Sequence, residues 1–219
     1  MHANHRGVAV KGEWTGLVTR GSAAVWNAPY NYPSGTFCFT CSMSDFWFEG
    51  VPLEWLAEAL DVIEATPRVI YMILSKRPAL ATRRLAMLKR RLPANVWAGA
   101  TIGHPQSLPL LKPLLRIEAP VHFLSVEPLL APMVPGLDLT GIDWVIGGGE
   151  SGPGARPCLA DLMRAVRDLC VSTSTAFFLK QWGIAGNNPT PWAEELDPDA
   201  KGGATLDGRL WREFPIKNE

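Results

Sequence analysis

Six apolar runs of strand length alternate with segments of helical periodicity, and this alternation restricts the possible folds more than any other feature of the chain. The runs are rich in Val, Ile and Phe, and they span residues 36–42, 69–74, 96–102, 121–126, 144–147 and 176–180. Continuous apolar strands are buried on both faces, which is typical of parallel sheets covered by helices. The sequence therefore predicts an α/β fold, a TIM-barrel-like partial (βα) barrel of about six parallel strands, with a doubly wound open sheet as the alternative.

The segments between these runs carry apolar residues at spacings of three and four, which predicts helices. The helices are expected at residues 52–66, 78–92, 106–117 and 159–170. In the third segment, Pro109 and Pro113 interrupt the helical pattern because proline lacks a backbone N–H.

The length of 219 residues suits one domain with one core. We expect an irregular N-terminal segment over 1–35, the barrel over 36–182 and a loop-rich tail over 183–219, with Trp192 and Trp211 anchoring the tail. The sequence contains neither a long apolar run of transmembrane length nor a secretory signal at its start, so a cytoplasmic protein without membrane contact is predicted.

Polar residues follow each predicted strand, and ligands of parallel α/β folds bind beyond the carboxyl ends of the strands. These strand ends supply the candidate site residues. Glu127, Glu150 and Lys180 are the candidates for catalysis, and a small anionic ligand is the expected partner. The candidate ligand-binding residues are Ser42, Asp45, Lys76, Arg77, Gly148, Gly149, Ser151 and Gln181. Each of these polar positions is also compatible with an ordinary loop.

The segment 143–157 concentrates glycines around Glu150. Glycine costs backbone entropy and supplies no side chain, so we expect these glycines to permit close approach of a ligand or a tight turn that places Glu150. Gly147, Gly149 and Gly152 match the G-x-G-x-x-G pattern of dinucleotide-binding turns. The acidic residue expected about 20 residues later is missing, because the next strand ends in Lys180. Amides at a helix start there would still suit a phosphate or carboxylate.

The charges are unevenly distributed although their sum is zero, with 21 basic and 21 acidic residues. No Asp or Glu occurs between residues 65 and 117. Within this window, the predicted helix 78–92 places four arginines on an outward face, namely Arg83, Arg84, Arg90 and Arg91. Such a basic stretch indicates nucleic-acid or partner binding, or else a solvated face balanced by acidic residues from elsewhere in the fold.

The four cysteines are too scattered for a disulfide framework, so reduced thiols are expected. Cys38 and Cys41 form one C-x-x-C, a spacing used in redox sites and as half of a zinc site. No second pair follows at ligand spacing, which favours a structural role, and no metal site is predicted.

Six separated motifs occur in the order of one known family. They are CSMSD at 41–45, LSKRP at 74–78, SVEPLL at 125–130, GGGESGPGARP at 147–157, FLKQWG at 178–183 and LDGR at 206–209. Over residues 37–215 the chain resembles an uncharacterised family found widely in phages and prophages. The members of that family resemble the spore-photoproduct-lyase branch of the radical S-adenosylmethionine enzymes.

The resemblance implies a partial barrel in which an iron–sulfur cluster on three cysteines cleaves S-adenosylmethionine at the strand ends. This chain departs from that pattern, because no cysteine precedes Cys38 and because Ile102-Gly103-His104 stands where relatives carry a Glu-Asn pair. Two hypotheses follow, and whether the protein is an enzyme stays open between them. In the first, the protein is a radical-type barrel that lacks the iron–sulfur cluster but keeps a pocket for an anionic ligand. In the second, it is a non-catalytic barrel that binds nucleic acid or a partner through residues 76–91.

Overall fold

A computed structural model describes residues 9–10, 13–42, 44–189 and 201–215. A short hairpin, β1 (Ala9–Val10) and β2 (Glu13–Trp14), and helix α1 (Ala23–Asn27) come first. Six parallel strands then follow one another in chain order, β3 (Phe37–Thr40), β4 (Ile70–Ser75), β5 (Val96–Thr101), β6 (His122–Val126), β7 (Trp144–Gly148) and β8 (Ala176–Gln181). Together with the helices between them, these strands confirm the predicted α/β class of a partial barrel with about six parallel strands.

The chain divides into two compact units. The first comprises residues 1–97 and 117–120, and the second comprises residues 98–116 and 121–219. The prediction of a single domain stays a prediction, and each unit is described by itself.

In the first unit, helix α2 (Leu53–Ala65) buries the apolar stripe that its sequence predicts, with Leu56, Leu60 and Ile63 at most 2% exposed. Complete burial of such a side chain contributes about 2 kcal/mol. The end of the helix is tied to β4 by one amide side chain. Asn95 Nδ2 donates to the carbonyls of Ile63, Thr66 and Val69 at 3.0, 3.2 and 2.9 Å.

Helix α3 (Pro78–Leu88) is four residues shorter than the sequence predicts. Lys89 adopts a left-handed conformation with φ +53°, and the Arg90 N–H donates to the Leu85 carbonyl at 3.0 Å. This turn satisfies the last carbonyls of the helix and ends it.

The segment predicted as a helix over 106–117 divides into a 3₁₀ helix over Pro105–Leu110 and the short α4 (Leu111–Leu114). Pro109 and Pro113 explain this division, because neither can donate the backbone hydrogen bond that a continuous α-helix requires.

In the second unit, β6, β7 and β8 are paired in register, and helix α5 (Ala160–Thr173) buries Met163, Val166 and Cys170. The pairing of β7 with β8 contains an irregularity, since Gly147 faces Leu179 but Gly148 faces Gln181. Lys180 is therefore an extra residue in β8. Such bulges redirect the side chains beside them.

The C-terminal tail forms a hairpin of β9 (Thr205–Leu206) and β10 (Arg209–Leu210), followed by Trp211. Trp211 is 6% exposed, which confirms its predicted role as an anchor, whereas Trp192 lies outside the described residues. The LDGR motif forms the turn of this hairpin. Asp207 accepts hydrogen bonds there from Arg164 and Arg167 of α5, at 2.7 and 2.9 Å.

The part of the chain that the structure describes contains no helix that is both long and apolar enough to cross a membrane.

We predict that Asn95→Ala lowers the free energy of unfolding by about 2 kcal/mol, because three carbonyls lose a donor at a partly buried position. Urea unfolding of the whole chain measures this loss. Asn31→Ala, at an exposed position, is the control and should change stability by less than about 0.5 kcal/mol. Equal effects of the two substitutions would show that the Asn95 contacts do not stabilise the fold.

Candidate functional site

The carboxyl end of β4 in the first unit is organised around the Asp45 carboxylate. It accepts hydrogen bonds from Ser75 Oγ at 2.9 Å and from the backbone N–H groups of Trp47 and Lys76 at 3.0 Å. The Arg77 guanidinium adds an ion pair at 3.4 Å, and the Asp45 side chain is only 13% exposed. Asp45 thus connects the loop after β3 to the end of β4. These contacts explain polar residues of the CSMSD and LSKRP motifs without requiring a ligand.

The other candidates of the first unit lie on its surface. Ser42 and Lys76 are exposed. The Arg77 guanidinium lies 5.0 Å from the centre of the Phe48 ring and 3.9 Å from the Glu49 carboxylate. Ligand binding by Ser42, Lys76 and Arg77 stays a prediction.

The outward position predicted for Arg84 is wrong. Arg84 is 6% exposed, and its guanidinium donates to the carbonyls of Glu49, at 3.2 Å, and Val51. At about 100° per residue, Arg84 is separated from the buried Ala81 by only about 60° around the helix. It therefore borders the apolar stripe, where carbonyl groups of a neighbouring loop accept hydrogen bonds from Nη1 and Nη2 of its guanidinium, while the buried Nε has no partner among the described residues.

Arg90 lies beyond the end of α3 and forms ion pairs with Asp61 at 2.5 Å and Glu64 at 2.7 Å. Arg91 is 3.9 Å from Glu118 and 89% exposed, and Arg83 is exposed. Acidic residues from outside the basic window therefore balance part of its charge. This is the arrangement that the sequence offered as the alternative to a nucleic-acid interface.

In the second unit, two candidate catalytic residues form an ion pair. Lys180 Nζ lies 2.8 Å from Glu127 Oε2, with the lysine side chain 56% exposed and the glutamate side chain only 15% exposed. Glu127 follows the end of β6 and Lys180 lies near the end of β8, so the pair reaches across β7.

Gly148 leaves the space in which the Glu127 and Lys180 side chains meet across β7. It is the last residue of β7, and a Cβ at this position would lie 3.0 Å from Cγ, Cδ and Oε1 of Glu127. The bulge in β8 at Lys180 brings a second side chain to the same place. The Glu127–Lys180 pair can therefore form because β7 carries no side chain at Gly148 and because β8 contains an extra residue, Lys180.

The Glu127 carboxyl is electrostatically unusual. Burial raises its pKa above the ordinary value for glutamate, although the Lys180 ammonium acts in the opposite direction. Two buried acceptor atoms, Glu127 Oε1 and Gln181 Oε1, have no hydrogen-bond partner among the described residues. The Gln181 amide is held in place by donation from Nε2 to the Gly149 carbonyl at 3.0 Å.

Glu150 has a different environment, in which Arg156 is its partner. The Glu150 carboxylate accepts hydrogen bonds from Arg156 Nε at 2.8 Å, from Arg156 Nη2 at 2.7 Å and from the Arg156 backbone N–H at 2.9 Å. These bonds lower the pKa of Glu150 to about 2. A carboxyl group with so low a pKa is ionised near neutral pH, and a catalytic role of Glu150 stays a prediction.

Three of the glycines permit close approach of other parts of the protein itself. A Cβ would lie 2.8 Å from Met163 Sδ at Gly147 and 2.0 Å from the Trp182 carbonyl oxygen at Gly149, in addition to the contact at Gly148. These neighbours are remote in sequence, so the glycine pattern alone did not reveal them.

The glycine segment also lacks the geometry of a phosphate-binding turn. The Gly149 N–H already donates to the Gln181 carbonyl at 3.0 Å, and the following helix begins only at Ala160. Gly152 and Gly154 have positive φ values and nothing near their Cβ positions, as in exposed turns. Ser151 is exposed in the same loop. Ligand contacts by Gly148, Gly149 and Ser151 stay predictions.

A family model described as "Protein of unknown function (DUF5131)" matches residues 1–215. The chain belongs to this family. No curated protein and no solved structure matches the chain. Membership of the DUF5131 family agrees with the resemblance to an uncharacterised family but does not assign an activity.

The cysteines of this DUF5131 chain do not fit an iron–sulfur cluster. Cys38 lies within β3 and Cys41 just beyond it, and a separation of three residues in an extended strand is roughly 10 Å, too far for a disulfide. Cys158 and Cys170 are buried in the second unit, where burial raises their pKa to about 11 and about 12. Over the described ranges, no three His, Cys, Asp or Glu side chains come together as metal ligands.

The second unit also contains a cleft of about 1040 Å³ at the amino ends of β7 and β8. Two of its carboxylates accept hydrogen bonds from backbone N–H groups, and one of them also binds an arginine side chain. Asp143 accepts from the His122 N–H at 2.7 Å, and Glu213 accepts from the Phe177 N–H at 3.1 Å and from Arg209 at 2.7 Å. These contacts give the cleft a structural explanation.

We predict that Gly148→Ala destabilises the protein by about 1–3 kcal/mol, because the added methyl group overlaps the Glu127 side chain. The measurement is urea unfolding within a double-mutant cycle with Glu127→Ala. Removing the Glu127 carboxyl should relieve the overlap, so the double variant should be more stable than the sum of the single effects by more than about 0.5 kcal/mol.

Gly186→Ala is the matched control, since nothing lies within 4 Å of its Cβ position. Strictly additive effects of Gly148→Ala and Glu127→Ala would contradict the described contact.

Proposed function

We propose that the carboxyl ends of β6, β7 and β8 bind a small ligand with an anionic group, and that Lys180 supplies the ammonium that attracts it. One observation carries this proposal. The Glu127 side chain is only 15% exposed beside a lysine side chain that is 56% exposed, across a glycine whose missing side chain leaves room for the pair.

A purely structural role explains this arrangement less well. Only the Glu127 carboxylate of this pair is buried, and desolvation of a buried ion costs several kcal/mol, whereas apolar residues of similar volume stabilise a fold as well or better. Glu127 is also a perturbed carboxyl at the strand ends, where parallel α/β folds bind their ligands. The chain thus keeps a buried carboxylate, at a cost in stability, in the place where such a group is most useful for binding.

The neighbouring groups suit a polar ligand. The half-exposed Lys180 ammonium is the donor that an incoming carboxylate, phosphate or sulfate meets. A ligand N–H or O–H would satisfy Gln181 Oε1, a buried acceptor without a described partner. We therefore propose Lys180, Glu127 and Gln181 as the binding residues of the second unit.

We propose further that this function is that of a radical S-adenosylmethionine-like barrel that works without an iron–sulfur cluster. The six parallel strands and the polar strand ends support the likeness. The cysteines do not support a cluster, because their positions fit no three-thiolate ligand set. Anaerobic reconstitution with iron and sulfide should therefore give no cluster absorption and no cleavage of S-adenosylmethionine.

We predict that one or more anions of a panel of carboxylates, phosphates and sulfates raises the melting temperature of the wild-type protein. At about 100 times its dissociation constant, a ligand adds roughly 2.7 kcal/mol of stability. Lys180→Ala should abolish the shift, because the ammonium that binds the anion is lost. Lys112→Ala removes an exposed lysine of the same unit and should leave the shift unchanged.

Equal shifts in the Lys180→Ala and Lys112→Ala variants would contradict the proposed site. A short DNA duplex at low salt belongs in the same panel. Salt-dependent stabilisation by DNA that survives Lys180→Ala and disappears in an Arg83→Ala/Arg91→Ala variant would instead support the nucleic-acid hypothesis.

A further inference from the structure

The Lys180 ammonium, to which the proposed ligand would bind, already forms an ion pair within the protein. Lys180 Nζ lies 2.8 Å from Glu127 Oε2, and the lysine is the more accessible partner, with 56% of its side chain exposed against 15% for the glutamate. A ligand that arrives from solvent therefore meets Lys180 first and competes with Glu127 for its hydrogen bonds.

Binding of an anion without any other change would be unfavourable for Glu127. Its carboxylate would lose part of its countercharge while remaining largely buried, and a second negative group would now lie beside it. An unpaired buried charge is strongly unfavourable, and two like charges at close range add to that penalty. A proton on Glu127 removes both penalties and turns an acceptor oxygen into a donor.

We propose that an oxyanion enters this site together with one proton, which Glu127 takes up from solvent, so that Lys180 and the Glu127 carboxylic acid donate to different oxygens of the ligand. This inference rests on the proposed function and defines its ligand class as carboxylate, phosphate or sulfate groups. Water or buffer supplies the proton, the carboxylate becomes a neutral acid, no covalent bond to the ligand forms and no electron is transferred.

The surroundings of Glu127 favour this coupling. Burial already raises the pKa of its carboxyl, and Lys180 is the neighbour that holds the pKa down. Glu150 and Arg156, beyond β7, bind each other. His104, beyond β5, accepts from the Gln106 N–H through Nδ1 at 3.2 Å. Drawing Lys180 toward the ligand therefore raises the pKa of Glu127 further, and affinity should increase as the pH falls toward that pKa.

The test uses inorganic sulfate, which keeps its charge throughout the neutral range. Sulfate affinity of the full chain is measured by NMR titration at a series of pH values, with chloride holding the ionic strength constant. For the wild-type protein we expect the affinity to fall up to tenfold per pH unit as the pH rises above the pKa of Glu127, as linkage to one proton requires.

Glu127→Gln replaces the proposed acid by a neutral donor of the same shape. Its sulfate affinity should be independent of pH and, at neutral pH, at least equal to that of the wild type. Glu118→Gln, at an exposed position with a side chain 79% accessible, is the matched control and should keep the wild-type pH dependence.

The outcomes separate the two proposals. Absence of sulfate binding at every pH, in both the wild type and Glu127→Gln, would contradict the anion site itself. Saturable binding that requires Lys180 but shows no pH dependence would overturn only the proton coupling. If Glu127→Gln does not fold, calorimetry of the wild type in two buffers with different heats of ionisation still counts the protons, and a count of zero would refute the coupling.

Discussion

The carboxyl end of β7 has no room for side chains, and the arrangement of the second unit around it depends on that constraint. Three successive glycines lie there against other parts of the protein. Gly147 lies against Met163, Gly148 against Glu127, and Gly149 against the Trp182 carbonyl. Larger residues would separate β7 from its neighbours or push Glu127 away from Lys180. The missing side chain of Gly148 thus allows close packing of the strand ends and also leaves room for the Glu127–Lys180 pair.

Backbone pairing reinforces this arrangement. The Gly149 N–H and carbonyl both bond to Gln181, and the Leu129 N–H donates to the Gly148 carbonyl at 3.0 Å. The segments after β6, β7 and β8 are therefore fixed to one another through β7. Residues held on a rigid framework need little reorganisation when a ligand binds, which preserves binding free energy.

The fold class and the identity of the strand ends could be predicted from sequence, because apolar runs mark buried parallel strands and polar residues must follow them. The partners of the polar groups could not be predicted. Glu150 binds Arg156 within its own loop, whereas Glu127 binds Lys180, which is 53 residues away. The outward position predicted for Arg84 was wrong for a similar reason, because two nitrogens of its guanidinium donate to loop carbonyls 33 and 35 residues earlier. Charge patterns along a chain do not reveal backbone acceptors that only tertiary structure supplies.

We infer that Glu127 is a perturbed carboxyl whose charge is controlled by Lys180. The most direct test is an NMR titration of the Glu127 side-chain carboxyl carbon in the wild-type protein and in Lys180→Met. We expect a pKa above the ordinary glutamate value in the wild type and a higher one in Lys180→Met, because burial persists while the ammonium is lost. An ordinary pKa that is unchanged by Lys180→Met would show that Lys180 does not control the charge of Glu127.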